Sequence, residues 1–101
     1  MNIDKQFVEQ ATKVAKLLKI LGHPDRLLVV CYLSECELSA GELVDKSNLS
    51  FSAFSQHLAI LRKADLIQTR RDGQTIYYSI KDQAVLKVLW VLKENYCTNL
   101  Y

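Results

Sequence analysis

Apolar residues recur at helical spacing through the opening segment. Phe7, Ala11, Val14, Leu18 and Leu21 are separated by alternating steps of four and three, which puts them on one helical face. Lys5, Lys13 and Lys16 fall off that face. The pattern predicts a helix over residues 4–21, stopped by Gly22. Pro24 suits the first turn of a following helix, and Asp25 is favourable at its positive end. The run Leu27–Leu33, LLVVCYL, is ambiguous. Its Val-Val-Cys-Tyr content suits a strand, whereas the Pro24-Asp25 start and the length through Ser34 favour a buried helix, which is the reading adopted.

Ser39-Ala40-Gly41-Glu42 has the spacing of a capping box and predicts a short helix to about Lys46. Asn48-Leu49 reads as a turn. Ser50 then caps a helix running to about Ala64, with Phe54, Leu58 and Leu61 on its inner side. Two helices joined by a short turn form a helix-turn-helix pattern. Asp72-Gly73 separates two β-rich runs, Leu66–Arg71 and Gln74–Ile80, and so predicts a hairpin with a basic, polar tip. From 82 to about 97 the chain is again helical in residue type. Val85, Leu86, Val88, Leu89, Trp90, Val91 and Leu92 are interrupted by Lys87 alone. A helix apolar nearly all round must be covered nearly all round. The expected cover is a second copy of the chain, with the first helix helping. The fold class that follows is mainly α with a β-hairpin wing: a winged helix-turn-helix, homodimeric through its first and last helices.

Composition changes this picture little. The 101 residues make one domain, 1–101, and 24% charged with 50% hydrophobic residues describes an ordinary globular chain. No run approaches the ~18 apolar residues of a membrane span. The opening MNIDKQFVEQ does not look like a secretory signal. Charge distribution says more than the net +2: residues 46–81 carry +4 and the remainder −2. A contiguous basic third points to a polyanionic partner. The three cysteines, an odd number, argue against a secreted disulfide framework and for a reducing, cytoplasmic setting.

The candidate DNA-reading residues are Ser52, Ser55, Gln56 and His57, polar groups near the start of the second helix of the pair. Side chains there reach base edges in the major groove, and Gln bonds adenine in bidentate fashion. A polar, solvated helix face would look the same, but the basic hairpin that follows favours DNA. Arg70, Arg71 and Gln74 beside the hairpin tip would hold phosphates or enter the minor groove. A charged strand that blocks edge-to-edge aggregation is the alternative.

Three segments then carry a family resemblance: Leu21–Leu27 (LGHPDRL), Ser50–Leu61 (SFSAFSQHLAIL) and Leu66–Tyr78 (LIQTRRDGQTIYY). Together they resemble the ArsR/SmtB family of dimeric winged-helix repressors across nearly the whole chain. The resemblance implies that the helix starting at Ser50 reads the major groove of a double-stranded, palindromic operator. It implies that the hairpin touches flanking DNA and that the first and last helices form the dimer. One metal-sensing class of the family places a Cys-x-Cys motif where this chain has Ser39 and Gly41. Another uses Asp-x-His where this chain has Asp82-Gln83-Ala84, and no later His follows. His57 is assigned to the DNA face and His23 to a loop, so no metal ligands and no cofactor are expected. Cys31 and Cys97 resemble the cysteine pair of the HlyU/BigR/SqrR branch. That resemblance implies release of DNA when the two thiols are bridged by an oxidant or a reactive sulfur inducer. Cys31 could instead be a small buried hydrophobe, and Cys36 a bystander or a competing partner for Cys97.

Other classes fare less well. A thiol oxidoreductase would need a Cys-x-x-Cys on a βαβ unit, and no triad, acid/base pair or glycine-rich phosphate loop can be assembled, so no enzyme is expected. A metal-responsive repressor with an unrecognised site and a winged-helix protein-interaction module remain as alternatives. Salt-dependent duplex binding separates the DNA-binding repressor from both the thiol oxidoreductase and the interaction module.

Overall fold

The computed structural model describes residues 2–97. It contains α1 (Asn2–Leu21), α2 (Pro24–Leu33), β1 (Leu38–Ser39), α3 (Ala40–Lys46), α4 (Phe51–Lys63), β2 (Ile67–Asp72), β3 (Thr75–Ile80) and α5 (Gln83–Tyr96). The ambiguous run LLVVCYL is helical and lies at the centre of the molecule. Val29, Val30 and Leu33 are buried, and α2 packs on α1, α4 and β3. Burial on several sides explains why this helix shows no amphipathic period. Ser34, expected inside the helix, is its C-cap, while α1 starts earlier than position 4.

Local chemistry fixes the element boundaries. His23 caps α2, its Nδ1 accepting the Asp25 N–H at 3.1 Å, with Pro24 in the first turn. Ser39 and Glu42 form the reciprocal box: Glu42 N–H donates to Ser39 Oγ at 3.1 Å, and Ser39 N–H donates to Glu42 Oε1 at 3.0 Å. Ser50 Oγ accepts from Ala53 N–H at 3.2 Å and opens α4. The end of α4 is a Schellman turn: Leu66 N–H reaches Leu61 O at 3.1 Å and Asp65 N–H reaches Arg62 O at 3.0 Å. Asp65 takes the left-handed conformation there, φ 60°, the one such non-glycine residue among those described.

The sheet has the order β1-β3-β2, antiparallel throughout. The hairpin turns through Gly73 at φ 63°. β1 was not expected from the sequence. It is two residues long, pairs Leu38 with Tyr78 and Ser39 with Tyr77, and runs directly into the cap of α3. A bridge this short leaves no alternating pattern to read.

The buried core joins Val30 of α2, Leu43 of α3, Phe54, Leu58 and Leu61 of α4, Leu66, Ile67, Ile80, and Val85 and Leu89 of α5. Two faces stay outside it. On α1, Phe7 is 70% exposed and Leu18 56%; on α5, Trp90 is 53% and Val91 58% exposed. These are residues that the sequence assigns to a subunit interface.

Because the Ser39–Glu42 box satisfies otherwise orphaned N–H groups, Ser39→Ala should lower unfolding stability by about 1 kcal/mol. The Glu42 carboxyl is held below the usual carboxylate range, first by the backbone N–H of Ser39 and then by its hydroxyl. A depressed folded pKa contributes stability above the unfolded value and loses it as pH falls through the folded value. Denaturation curves recorded down through the carboxylate range should therefore show a smaller acid-induced loss for Glu42→Gln than for wild type. Parallel pH profiles would show the box to be unformed in solution.

Candidate nucleic-acid interface and thiol cavity

Ser52 and Gln56 are four residues apart on α4, so they share a face, and both are exposed. Ser55 is half-buried beside Phe51, Phe54 and Leu58. The outward face of α4 thus begins with a hydroxyl and an amide, next to a helix N-terminus whose N–H groups attract phosphate.

His57 departs from the expectation that placed it on this face. It lies three residues after Phe54 and four before Leu61, so the helical period turns it inward with them. Its side chain is only 15% exposed, and the ring lies 4.5 Å, centroid to centroid, from that of His23. His57 Nε2 is 3.7 Å from Asp25 Oδ2, beyond hydrogen-bond reach, while Nδ1 is buried without a hydrogen-bond partner. Burial, and then the neighbouring His23 and Arg26, hold the ring below the usual histidine pKa, so it is neutral at pH 7. His23, expected as a loop residue, is the α2 cap.

On the wing, Arg71 and Gln74 are exposed near the tip. Arg70 is already engaged. Its Nε and Nη2 donate to Glu37 Oε2 and Oε1 at 2.7 and 2.6 Å, and its guanidinium lies 4.7 Å over the Tyr77 ring. Glu37 immediately precedes β1, so the unexpected strand is what brings this carboxylate to the wing. The fork lowers the Glu37 pKa and raises that of Arg70. A phosphate reaching Arg70 must compete with a bidentate carboxylate.

The thiols meet elsewhere. Cys31 on α2, Cys36 in the loop before β1, and Cys97 at the C-cap of α5 all line one cavity of about 700 Å³. Tyr32, Glu35 and Lys93 share its wall. All three thiols are unbridged, with Cys31 and Cys97 half-buried and Cys36 exposed. Lys93 Nζ donates to Ser34 Oγ at 2.8 Å and lies 3.5 Å from both Cys31 O and Glu35 Oε1. Burial pushes the Cys31 thiol above its ordinary pKa, while the Lys93 ammonium pulls the other way. Lys93 and Glu37 are the functional neighbours that the sequence did not disclose. Each meets its partner across a long stretch of chain, and neither carries a motif.

The geometry of two helices, turn and hairpin matches known proteins. A family model for bacterial regulatory proteins of the arsR family covers residues 23–69. The HTH-type transcriptional regulator YgaV of Escherichia coli is 48% identical over 93 residues, spanning 91% of this chain and 94% of that protein. The chain belongs to the ArsR family. Among solved structures, reduced HlyU from Vibrio cholerae superposes with a TM-score of 0.87 at 37% identity, covering 93% of this chain and 99% of that one. The transcriptional repressor BigR from Xylella fastidiosa gives 0.83 at 33%, covering 95% and 98%. This chain is accordingly a DNA-binding transcriptional regulator of winged-helix fold, in a family of regulators rather than enzymes.

The family match runs from the α2 cap into β2, so it contains the DNA-reading unit and Cys31 but stops short of Cys97. Two positions singled out from the sequence, Ser39 and Asp82, are helix caps. Ser39 caps α3, and Asp82 Oδ1 accepts the N–H groups of Ala84 and Val85 at 2.9 and 3.2 Å at the start of α5. Among the described residues, no helix is long and apolar enough to cross a membrane.

The opposed effects on Cys31 make a measurable prediction. Alkylation of Cys31, followed by mass spectrometry, should have a pH midpoint above that of an ordinary cysteine. Lys93→Met should move the midpoint further up, because the one cation that favours the thiolate is gone. A midpoint that stays put would mean the ammonium does not face the sulfur in solution.

Proposed function

We propose that this ArsR-family regulator binds a two-fold palindromic duplex operator as a homodimer and releases it when Cys31 and Cys97 become bridged. The observation that carries the reading is the shared cavity. One thiol stands on the central helix α2, the other on the end of α5, and both open into the same space. Cross-linking them ties the core of the DNA-binding unit to the helix whose apolar face, with that of α1, seats the second subunit. Two recognition helices must stand one DNA turn apart, roughly 34 Å, to enter successive major grooves. A small rotation of α5 against α2 in each subunit spoils that spacing.

The chemistry balances with either inducer class. A peroxide accepts two electrons and two protons from the thiol pair and leaves as two waters. A persulfide passes its terminal sulfur to one thiol and leaves as a thiol. The second thiol then attacks the new persulfide, closing the disulfide and expelling hydrogen sulfide. The 700 Å³ cavity is large enough for a small-molecule inducer. Cys36, exposed on its rim, serves neither step. Ser52, Ser55 and Gln56 would read bases, and Arg71 and Gln74 would hold the backbone. Arg70 would join them on exchanging Glu37 for phosphate. His57 would act from behind α4 and not at its DNA face.

Two experiments test the reading. In the first, the slope of log affinity against log salt is measured on operator DNA. Arg71→Ala should flatten it by roughly one per protomer. Glu37→Gln should tighten binding, because Arg70 no longer has to leave a carboxylate; a slope unmoved by Arg71→Ala with an affinity unmoved by Glu37→Gln takes the wing off the DNA. In the second, Cys31→Ser and Cys97→Ser should each bind operator like reduced wild type and retain it after peroxide or persulfide, whereas Cys36→Ser should still release it. A response abolished by Cys36→Ser and kept in Cys31→Ser would move the bridge to Cys36 and Cys97.

A further inference from the structure

Behind the recognition helix, His23, Asp25 and His57 bring one ligand atom each to within 4.8 Å of one another. Among the described residues this is the one place where three metal-ligating side chains converge. We propose that these residues form a binding site for a first-row divalent transition ion of the zinc and cobalt class, joining the start of α2 to α4. It lies apart from the thiol cavity and from the positions at which the sequence comparison with the family seeks metal ligands.

Three features support it. First, two separations are already short: Asp25 Oδ2 stands 3.9 Å from His23 Nδ1 and 3.7 Å from His57 Nε2. Ligand atoms of a tetrahedral zinc ion are roughly 3.4 Å apart, given bonds of about 2.0–2.2 Å. Small χ rotations close that gap, and His23 and Asp25, each 39% exposed in their side chains, have room to make them. His23 Nδ1, which has one lone pair, then exchanges the Asp25 N–H it accepts at 3.1 Å for the ion, and the lost cap lowers the affinity. Second, His57 Nε2 faces the Asp25 carboxylate at 3.7 Å, too distant to bond, so its lone pair is open to an ion that bridges the two. Third, two imidazoles and one carboxylate make a borderline donor set with an open position. It suits zinc, cobalt or nickel better than calcium or magnesium, which want oxygen, and better than copper(I), which wants sulfur.

Arg26 restrains the affinity. Its Nε donates to Ile20 O at 2.8 Å, which fixes a cation beside the site. That is compatible with an exchangeable ion and not with one needed for folding. When bound, the ion ties the inner side of α4 to the α2 cap, so occupancy sets how firmly the DNA-reading helix is held.

The test is cobalt(II) titration of the reduced full-length protein. An ion held by nitrogen and oxygen gives visible d–d bands with no sulfur-to-cobalt charge-transfer band in the near ultraviolet. The expected result is one equivalent per protomer, with affinity falling by about tenfold or more in His23→Asn and in His57→Gln. His23→Asn keeps an acceptor at the α2 cap while removing the imidazole, and far-ultraviolet circular dichroism checks that it is folded. Wild type without visible bands overturns the proposal, as do bands that survive both variants. A charge-transfer band abolished by Cys31→Ser also overturns it, because the ion would then sit in the thiol cavity. Neither DNA nor oxidant is present, so the result is independent of the sulfur-sensing proposal.

Discussion

The packing of α4 against α2 is the constraint on which the rest depends. Val30 and Leu61 are both fully enclosed, and Phe54 and Leu58 are nearly so. Removing a side chain from such a position costs about 2–5 kcal/mol, a large part of a small domain's total stability. The same burial fixes the rotation of α4 about its axis. With Phe54, His57, Leu58 and Leu61 inward, Ser52 and Gln56 have only the outside left. The DNA-facing chemistry is therefore set by the core and not by the loop before it. The wing follows from the same core, since Leu66 and Ile67 enter it directly after the Schellman turn and launch the hairpin.

A second consequence concerns what the core leaves out. The core does not wrap both terminal helices. α5 contributes Val85 and Leu89 to the core and keeps Trp90, Val91 and Tyr96 outside, while α1 keeps Phe7, Val14 and Leu18 outside. Exposed apolar patches of this kind mark association surfaces. α5 thus does two things at once: its residues that hold the core and those facing outward alternate along the same helix. Any chemistry that shifts α5 must disturb both.

Much of this was legible in the sequence because its causes are local. The face of α1, the box at Ser39, the cap at Ser50 and the Asp72-Gly73 turn are each determined within a few residues, and each stands as read. The orientation of His57 was equally legible. Its spacing from Phe54 and Leu61 outweighs its company among polar neighbours, and the preference for a polar surface patch misplaced it. What could not be read are pairings across the fold. Glu37 meets Arg70, and Lys93 meets Ser34, at sequence separations of 33 and 59. Neither carries a motif, and only the two-residue β1 bridge and the closure of α5 over α2 create them.

These two long-range contacts of basic side chains share a logic. In both, a basic group suited to an anion is held by a nearby acid or hydroxyl: Arg70 by Glu37 on the wing, Lys93 by Ser34 and Glu35 beside Cys31. Exposed pairs of this kind contribute little to stability and are weakened by salt, so they are poor struts. Their value lies in what they compete with. Glu37 occupies a guanidinium fork of the shape that phosphate also fits, so a phosphate at Arg70 must displace it. Lys93 is shared among an oxygen of Cys31, the Ser34 hydroxyl and Glu35, so its charge reaches the sulfur only in part, and burial still keeps Cys31 a thiol. A thiol that is mostly protonated reacts slowly with weak oxidants, and it gains speed where α5 brings the ammonium closer. Under the proposed dithiol switch, the position of α5 would govern both the reactivity of Cys31 and the seating of a second subunit.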